Sequence, residues 1–139
     1  MIQRHGRALL LVICTIGFLN SCDDPLWVVK KYSFKIQNNS SALIYYQVSK
    51  TYPDQAIPDS TAARIGGIGP SNQQSYESKD KWPKFFSNLP ADTLSVFFFS
   101  PDSVEKYNWK QVQSKYLILK RKDISLKDLV DNDYVVSYP

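Results

Sequence analysis

Few side chains in this sequence are equipped for chemistry, and their positions divide the chain. The 139 residues include two cysteines, Cys14 and Cys22, and a single histidine, His5. From Asp23 onward there is neither thiol nor imidazole. Ser-His-Asp and Cys-His catalysis need an imidazole to carry the proton, and the usual Zn, Cu and Fe centres draw on His and Cys, so the sequence after Cys22 predicts neither. Paired carboxylates are the catalytic class that remains. Asp54, Asp59, Glu77 and Asp80 fall in predicted loops or at strand ends, where two could flank a scissile bond. A solvated loop carboxylate is the simpler reading of each. The same oxygens suit Ca²⁺, but the D-x-D-x-D-G spacing is missing. Gly66-Gly67-Ile68-Gly69-Pro70 lacks both the G-x-G-x-x-G spacing and a following Lys-Ser/Thr, which predicts an irregular loop and no phosphate cradle. No cofactor or metal is expected.

Cys22 is the exception, because of what precedes it. Arg4, His5 and Arg7 lead into the apolar run Ala8 to Phe18, which is too short to span a bilayer and of the right length for a signal-peptide core. Leu19-Asn20-Ser21-Cys22 then resembles a bacterial lipobox, although Asn20 stands where a small or aliphatic residue is usual. The resemblance implies a signal peptide over 1–21, acylation of Cys22 with palmitate-type chains, and a membrane-anchored mature chain of 118 residues. An ordinary cleaved signal with a chance cysteine is the alternative. Cleavage would take Arg4 and Arg7 with it, lowering the formal net charge from +4 to +2. Such a balance implies no polyanionic partner. Residues 22–31 read as an acidic tether that opens with Asp23 and Asp24, and the ten residues from Cys22 to Tyr32 reach at most about 35 Å. An acidic start resembles an inner-membrane retention signal in enterobacteria and a surface-export signal in Bacteroidota. A solvated linker is equally consistent. A cell-envelope location is expected, the outer membrane, on its periplasmic or surface leaflet, being favoured over the inner.

Residues 32–139 predict a single β-rich domain that must carry the candidate residues. Tyr32 to Gln37 alternates apolar and polar as a half-buried strand does, Asn38 to Ser41 reads as a turn, and Ala42 to Ser49 as a second strand, together predicting a hairpin. Gln73 to Ser78 is a further strand. Trp82, Phe85, Phe86 and Leu89 fall at i, i+3, i+4 and i+7, predicting a short helix whose aromatic stripe faces the core. Thr93 to Phe99 is apolar on both alternating faces, as a central strand buried on both sides would be. Ser100-Pro101 predicts a helix cap, with helical turns to Ser114 interrupted near Asn108. A strand at Tyr116 to Leu119 is expected to end in Lys120-Arg121-Lys122. Ser125 and Asp128 approximate a capping box, flanked by Ile124 and Leu129 as a hydrophobic staple. Tyr134 to Tyr138 closes the chain as a strand. The fold class is therefore mainly β (α+β): an antiparallel sheet or small β-sandwich with two or three short helices in its connections.

Phe34 to Ser41, Trp82-Pro83-Lys84-Phe85-Phe86, and Asp123 to Leu129 with the ending Tyr138-Pro139 resemble small Bacteroidota lipoproteins of unassigned function. That resemblance implies no catalytic residues. Asp59-Ser60-Thr61, Asp92-Thr93-Leu94 and Asp102-Ser103-Val104 match the Asp-Ser/Thr-apolar pattern that resembles the O-glycosylation acceptor of that phylum. Ser60, Thr93 and Ser103 are the candidate acceptors, and Ser60 leads because its loop is Pro-rich. Turn and cap chemistry would place Asp and Ser at the same positions. Lys120-Arg121-Lys122 near Tyr116 reads as a solvated strand end, and no nucleic acid is expected. The expected function is that of a lipid-anchored, non-enzymatic binding domain, held to the membrane by Cys22, for a protein or glycan partner. A structural subunit of an envelope complex is the alternative, and a carboxylate-based hydrolase ranks third.

Overall fold

The computed structural model describes residues 31–59 and 66–139, so Cys22, nearly all of the tether and Ser60 lie outside the described residues. Among the described residues seven strands form two sheets. β1 (Tyr32–Asn38), β4 (Gln73–Ser78) and β7 (Val135–Tyr138) line up as β4-β1-β7, while β2 (Ile44–Ser49), β3 (Gly66–Ile68), β5 (Thr93–Phe99) and β6 (Lys120–Ser125) line up as β3-β2-β5-β6. The described ladders are antiparallel except that β7 runs parallel to β1. Four short helices sit in the connections among the described residues: α1 (Trp82–Ser87), α2 (Pro101–Glu105), α3 (Trp109–Ser114) and α4 (Leu126–Asp131). A 3-10 turn at Pro90–Asp92 precedes β5.

Period-two alternation builds the core. Phe34 and Ile36 of β1, Ile44 of β2, Leu94, Val96 and Phe98 of β5, Ile124 of β6 and Val136 of β7 meet between the sheets, where Trp82, Phe85 and Phe86 of α1 and Leu129 of α4 join them. The rings of α1 interlock edge to face, Trp82 with Phe85 at 5.4 Å and Phe85 with Phe86 at 5.6 Å, as aromatic quadrupoles favour. The other face of β5 is buried too. Phe97 and Phe99 pack with Ile57 and Val112 beneath α2, α3 and the loop after β2, which is pinned to α3 by Trp109 Nε1 donating to the Pro58 carbonyl and Gln113 Nε2 to that of Ile57. The predicted two-faced central strand is therefore β5, with matching ends. Ser125 and Asp128 form a capping box on α4, and Asn108 and Gln111 form one on α3 at the expected interruption.

Several expectations are corrected. β1 and β2 are not a hairpin: they lie in opposite sheets, and the connection between them crosses the sandwich. Alternation fixes which face a strand buries but not which strand it pairs with, so both arrangements share one pattern. The crossing is locked by Asn38, which ends β1 where a turn was expected and is fully buried. Its Nδ2 donates to the carbonyls of Ala42, Ile68 and Gly69, and its Oδ1 accepts from the Ser40 amide and hydroxyl. Asn38→Leu keeps the size and strands those partners, so we expect a loss of about 1–3 kcal/mol in denaturant unfolding. Ser125→Ala, which removes an exposed cap, should cost about 1 kcal/mol.

Gly66 to Ile68 is a strand where irregular loop was expected. A Cβ at Gly66 would lie 2.3 Å from Tyr46 Cε1, so glycine is what lets the Tyr46 ring cover this strand. Tyr116 to Leu119 is not a strand. α3 ends in a Schellman motif, with the Tyr116 amide bonded to Gln113 O and the Leu117 amide to Val112 O, which forces Tyr116 to φ 52°. α4 ends alike through Asp133 and Tyr134, and Tyr134 at φ 59° delays the last strand to Val135. The strand after α3 begins at Lys120, so the basic triplet lies within a strand and does not end one.

Candidate functional site

The two rims of the sandwich differ. At one, β3 and β4 are stitched together: Gln74 Nε2 donates to the Gly67 carbonyl at 2.7 Å and Gln74 Oε1 accepts from Tyr46 Oη at 3.2 Å. At the other, the edge strands β6 and β7 face each other across a cleft of about 220 Å³. β6 contributes Lys122, Asp123 and Ile124, α4 contributes Asp128, Leu129 and Asn132, and β7 contributes Val135, Val136 and Ser137. At the far end of β7 the Tyr138 ring meets Phe98 of β5 at 5.2 Å.

The basic triplet divides between the two faces of β6. Opposite β5, Arg121 pairs with outward Phe97, while Lys120 and Lys122 pair with inward Phe98 and Val96. Arg121 is satisfied: it lies against the Phe97 and Tyr52 rings, its Nε donates to Asp123 Oδ1 at 2.6 Å and its Nη2 to Ser95 Oγ at 3.2 Å. Ser95 Oγ donates in turn to Asp123 at 2.6 Å. Burial alone would lower the Arg121 pKa, but its bonds to Asp123 and Tyr116 outweigh that and raise it. Lys120 and Lys122 have no ion-pair partner among the described residues. Burial, and then the neighbouring charge of Lys120, hold Lys122 below the usual lysine value. Asp123 is taken up by Arg121 and Ser95, and Asp128 by the Ser125 amide and hydroxyl. With Arg121 and Asp123 cancelling, the charges of Lys120 and Lys122 outweigh that of Asp128, whose Ser125 donors are neutral, and the rim is net positive.

A second concavity of about 420 Å³ lies between the sheets near Tyr46 and Tyr76, with Gln47, Ser49, Lys50 and Thr51 around it. Burial raises the Tyr46 pKa, leaving a neutral hydroxyl at neutral pH. Its lining holds no carboxylate among the described residues.

The candidate carboxylates do not converge on this concavity. Asp54 accepts from the Ala56 amide within a turn, Glu77 pairs with Lys31, and Asp80 pairs with Lys84 one helical turn on. Asp59 is exposed. Among the described residues no three His, Cys, Asp or Glu side chains come together as a metal site. Of the possible glycan acceptors, Thr93 Oγ1 donates to the Ala91 carbonyl at 2.8 Å, and Ser103 shares a hydroxyl hydrogen bond with the α2 cap Ser100 at 2.9 Å. Both are partly buried. No helix among the described residues is long and apolar enough to cross a membrane.

These groups set the expected pH response. Hydrogen bonds from the Ser125 hydroxyl and then its amide hold Asp128 below the usual carboxylate range. A carboxyl depressed in the folded state contributes stability above its unfolded pKa of about 3.9 and loses it as pH falls through the folded value. Lys122 acts at the alkaline end, where its depressed pKa means that a cost of charging is relieved as pH rises. Thermal melting should therefore be nearly flat from about pH 6 to 8 and fall below about pH 4. A steep change between pH 6 and 8 in a melting series would contradict this.

Compared with known proteins, the sequence matches no family model, no curated protein and no solved structure.

Proposed function

We propose that this chain is a lipid-anchored binding domain of the cell envelope, attached through Cys22 and holding a partner, protein or glycan, without chemistry of its own. The observation that carries the reading is the rim between β6 and β7, where two sheet edges and Lys122, which has no ion-pair partner among the described residues, border an open cleft. Elsewhere, three of the four carboxylates considered for catalysis serve turns or ion pairs. The lipobox-like Leu19 to Cys22 and the resemblance to small Bacteroidota lipoproteins support the anchor and an outer-membrane location. The membrane-extracted protein should retain a stoichiometric partner after mild solubilisation or bind a defined structure on a glycan array. Lys122→Glu should weaken that association. Turnover with a bell-shaped pH profile near neutrality would instead support a hydrolase with a perturbed carboxylate or lysine.

A further inference from the structure

The cleft at the open rim has a chemistry that narrows its occupant, an argument that rests on the binding-domain reading above. Among the described residues β7 is the last strand of its sheet. The Lys35 amide bonds the Tyr134 carbonyl at 2.8 Å and the Asn39 amide bonds that of Tyr138 at 2.6 Å, in a parallel register that pairs Lys35 with Val135 and Asn38 with Tyr138. In a parallel ladder both polar groups of a residue point to the same side, so Val136 and Tyr138 face β1 while Val135 and Ser137 face away from it. The Val135 amide is taken by the Asn132 carbonyl. The Val135 carbonyl and both the amide and carbonyl of Ser137 thus lie on the free edge, along the cleft that these residues line. Across the cleft Ile124 and Leu129 are nearly fully buried, whereas Lys122, with Lys120 two residues back, offers positive charge across from the exposed carboxylate of Asp128.

We infer that the open rim binds an extended peptide segment, added as a strand beside β7, which carries an acidic side chain. Backbone bonds to Ser137 and Val135 hold the strand, and alternate side chains read the walls, as in other cases of strand addition. Only every second side chain of a strand points inward, and the acidic one meets Lys122.

The test uses the full chain in detergent and an acetylated octapeptide of alternating Glu and Val, with a second peptide carrying Lys for Glu and dextran sulfate as further probes. The Glu peptide should bind and protect the Ser137 amide from hydrogen exchange. Ser137→Pro removes the edge donor without touching the β1 ladder, and Lys122→Glu reverses the charge. Each should weaken binding about tenfold, the scale of one lost hydrogen bond or charge pair, and the Lys peptide should bind weaker still. Unchanged exchange at Ser137 with the wild-type protein overturns the inference whether or not the proline variant folds. So does tight dextran sulfate binding with no peptide binding, which would mark an anionic-glycan site and leave the anchored binding-domain reading standing.

Discussion

Phe98→Ala is expected to destabilise the domain by about 3–5 kcal/mol, the range for removing a large aromatic from a packed core. Phe98 is fully buried, lies on the strand flanked by β2 and β6, and touches the Tyr138 ring across the sandwich. It faces Tyr46 on one neighbouring strand and Lys120 on the other, so the cavity would open between three strands at once. A domain of this size holds roughly 5–15 kcal/mol in total, so the variant should melt far earlier or fail to accumulate. Lys79 is exposed on the loop before α1, and Lys79→Ala should stay within about 0.5 kcal/mol. Equal denaturation midpoints for the two variants would contradict the packing described here.

The second large effect concerns the anchor. Cys22→Ala removes the thiol on which the proposed acylation depends, and with it both lipid attachment and processing at this position. One acyl chain binds membranes only weakly and reversibly, whereas two or more hold a protein stably. The variant should therefore remain an uncleaved precursor at this site, and no acylated mature form should be found. Mass spectrometry of the wild-type protein should find Cys22 at the amino terminus carrying lipid. An unmodified Cys22 there would refute the anchor.

How far the sequence carries depends on whether a feature is local. Thr93 to Phe99 was readable to the residue because its two apolar faces admit one environment, a strand covered on both sides. The box of Ser125 and Asp128 was readable because a cap is built from neighbours. Pairing was not: Tyr32 to Ser49 has the pattern of a hairpin, but its strands belong to different sheets. Tyr116 has strong strand propensity, yet the Schellman end of α3 turns it to a positive φ. The open rim was hidden for a related reason, since nothing local says that β6 and β7 are the last strands of their sheets on the same side. One signal was available. Lys120, Lys122 and Ile124 share one phase of the alternation and Arg121 and Asp123 the other, which already separates two inward lysines from a paired arginine.

A photo-reactive side chain at Ser137 in cells, compared with one at exposed Ser87 on α1, shows whether this rim is where the protein meets its partner. A discrete polypeptide adduct is expected at position 137, absent at 87 and lost when the Glu-Val octapeptide is added to isolated membranes before illumination. No adduct at 137, or the same adduct from both positions, would contradict that placement.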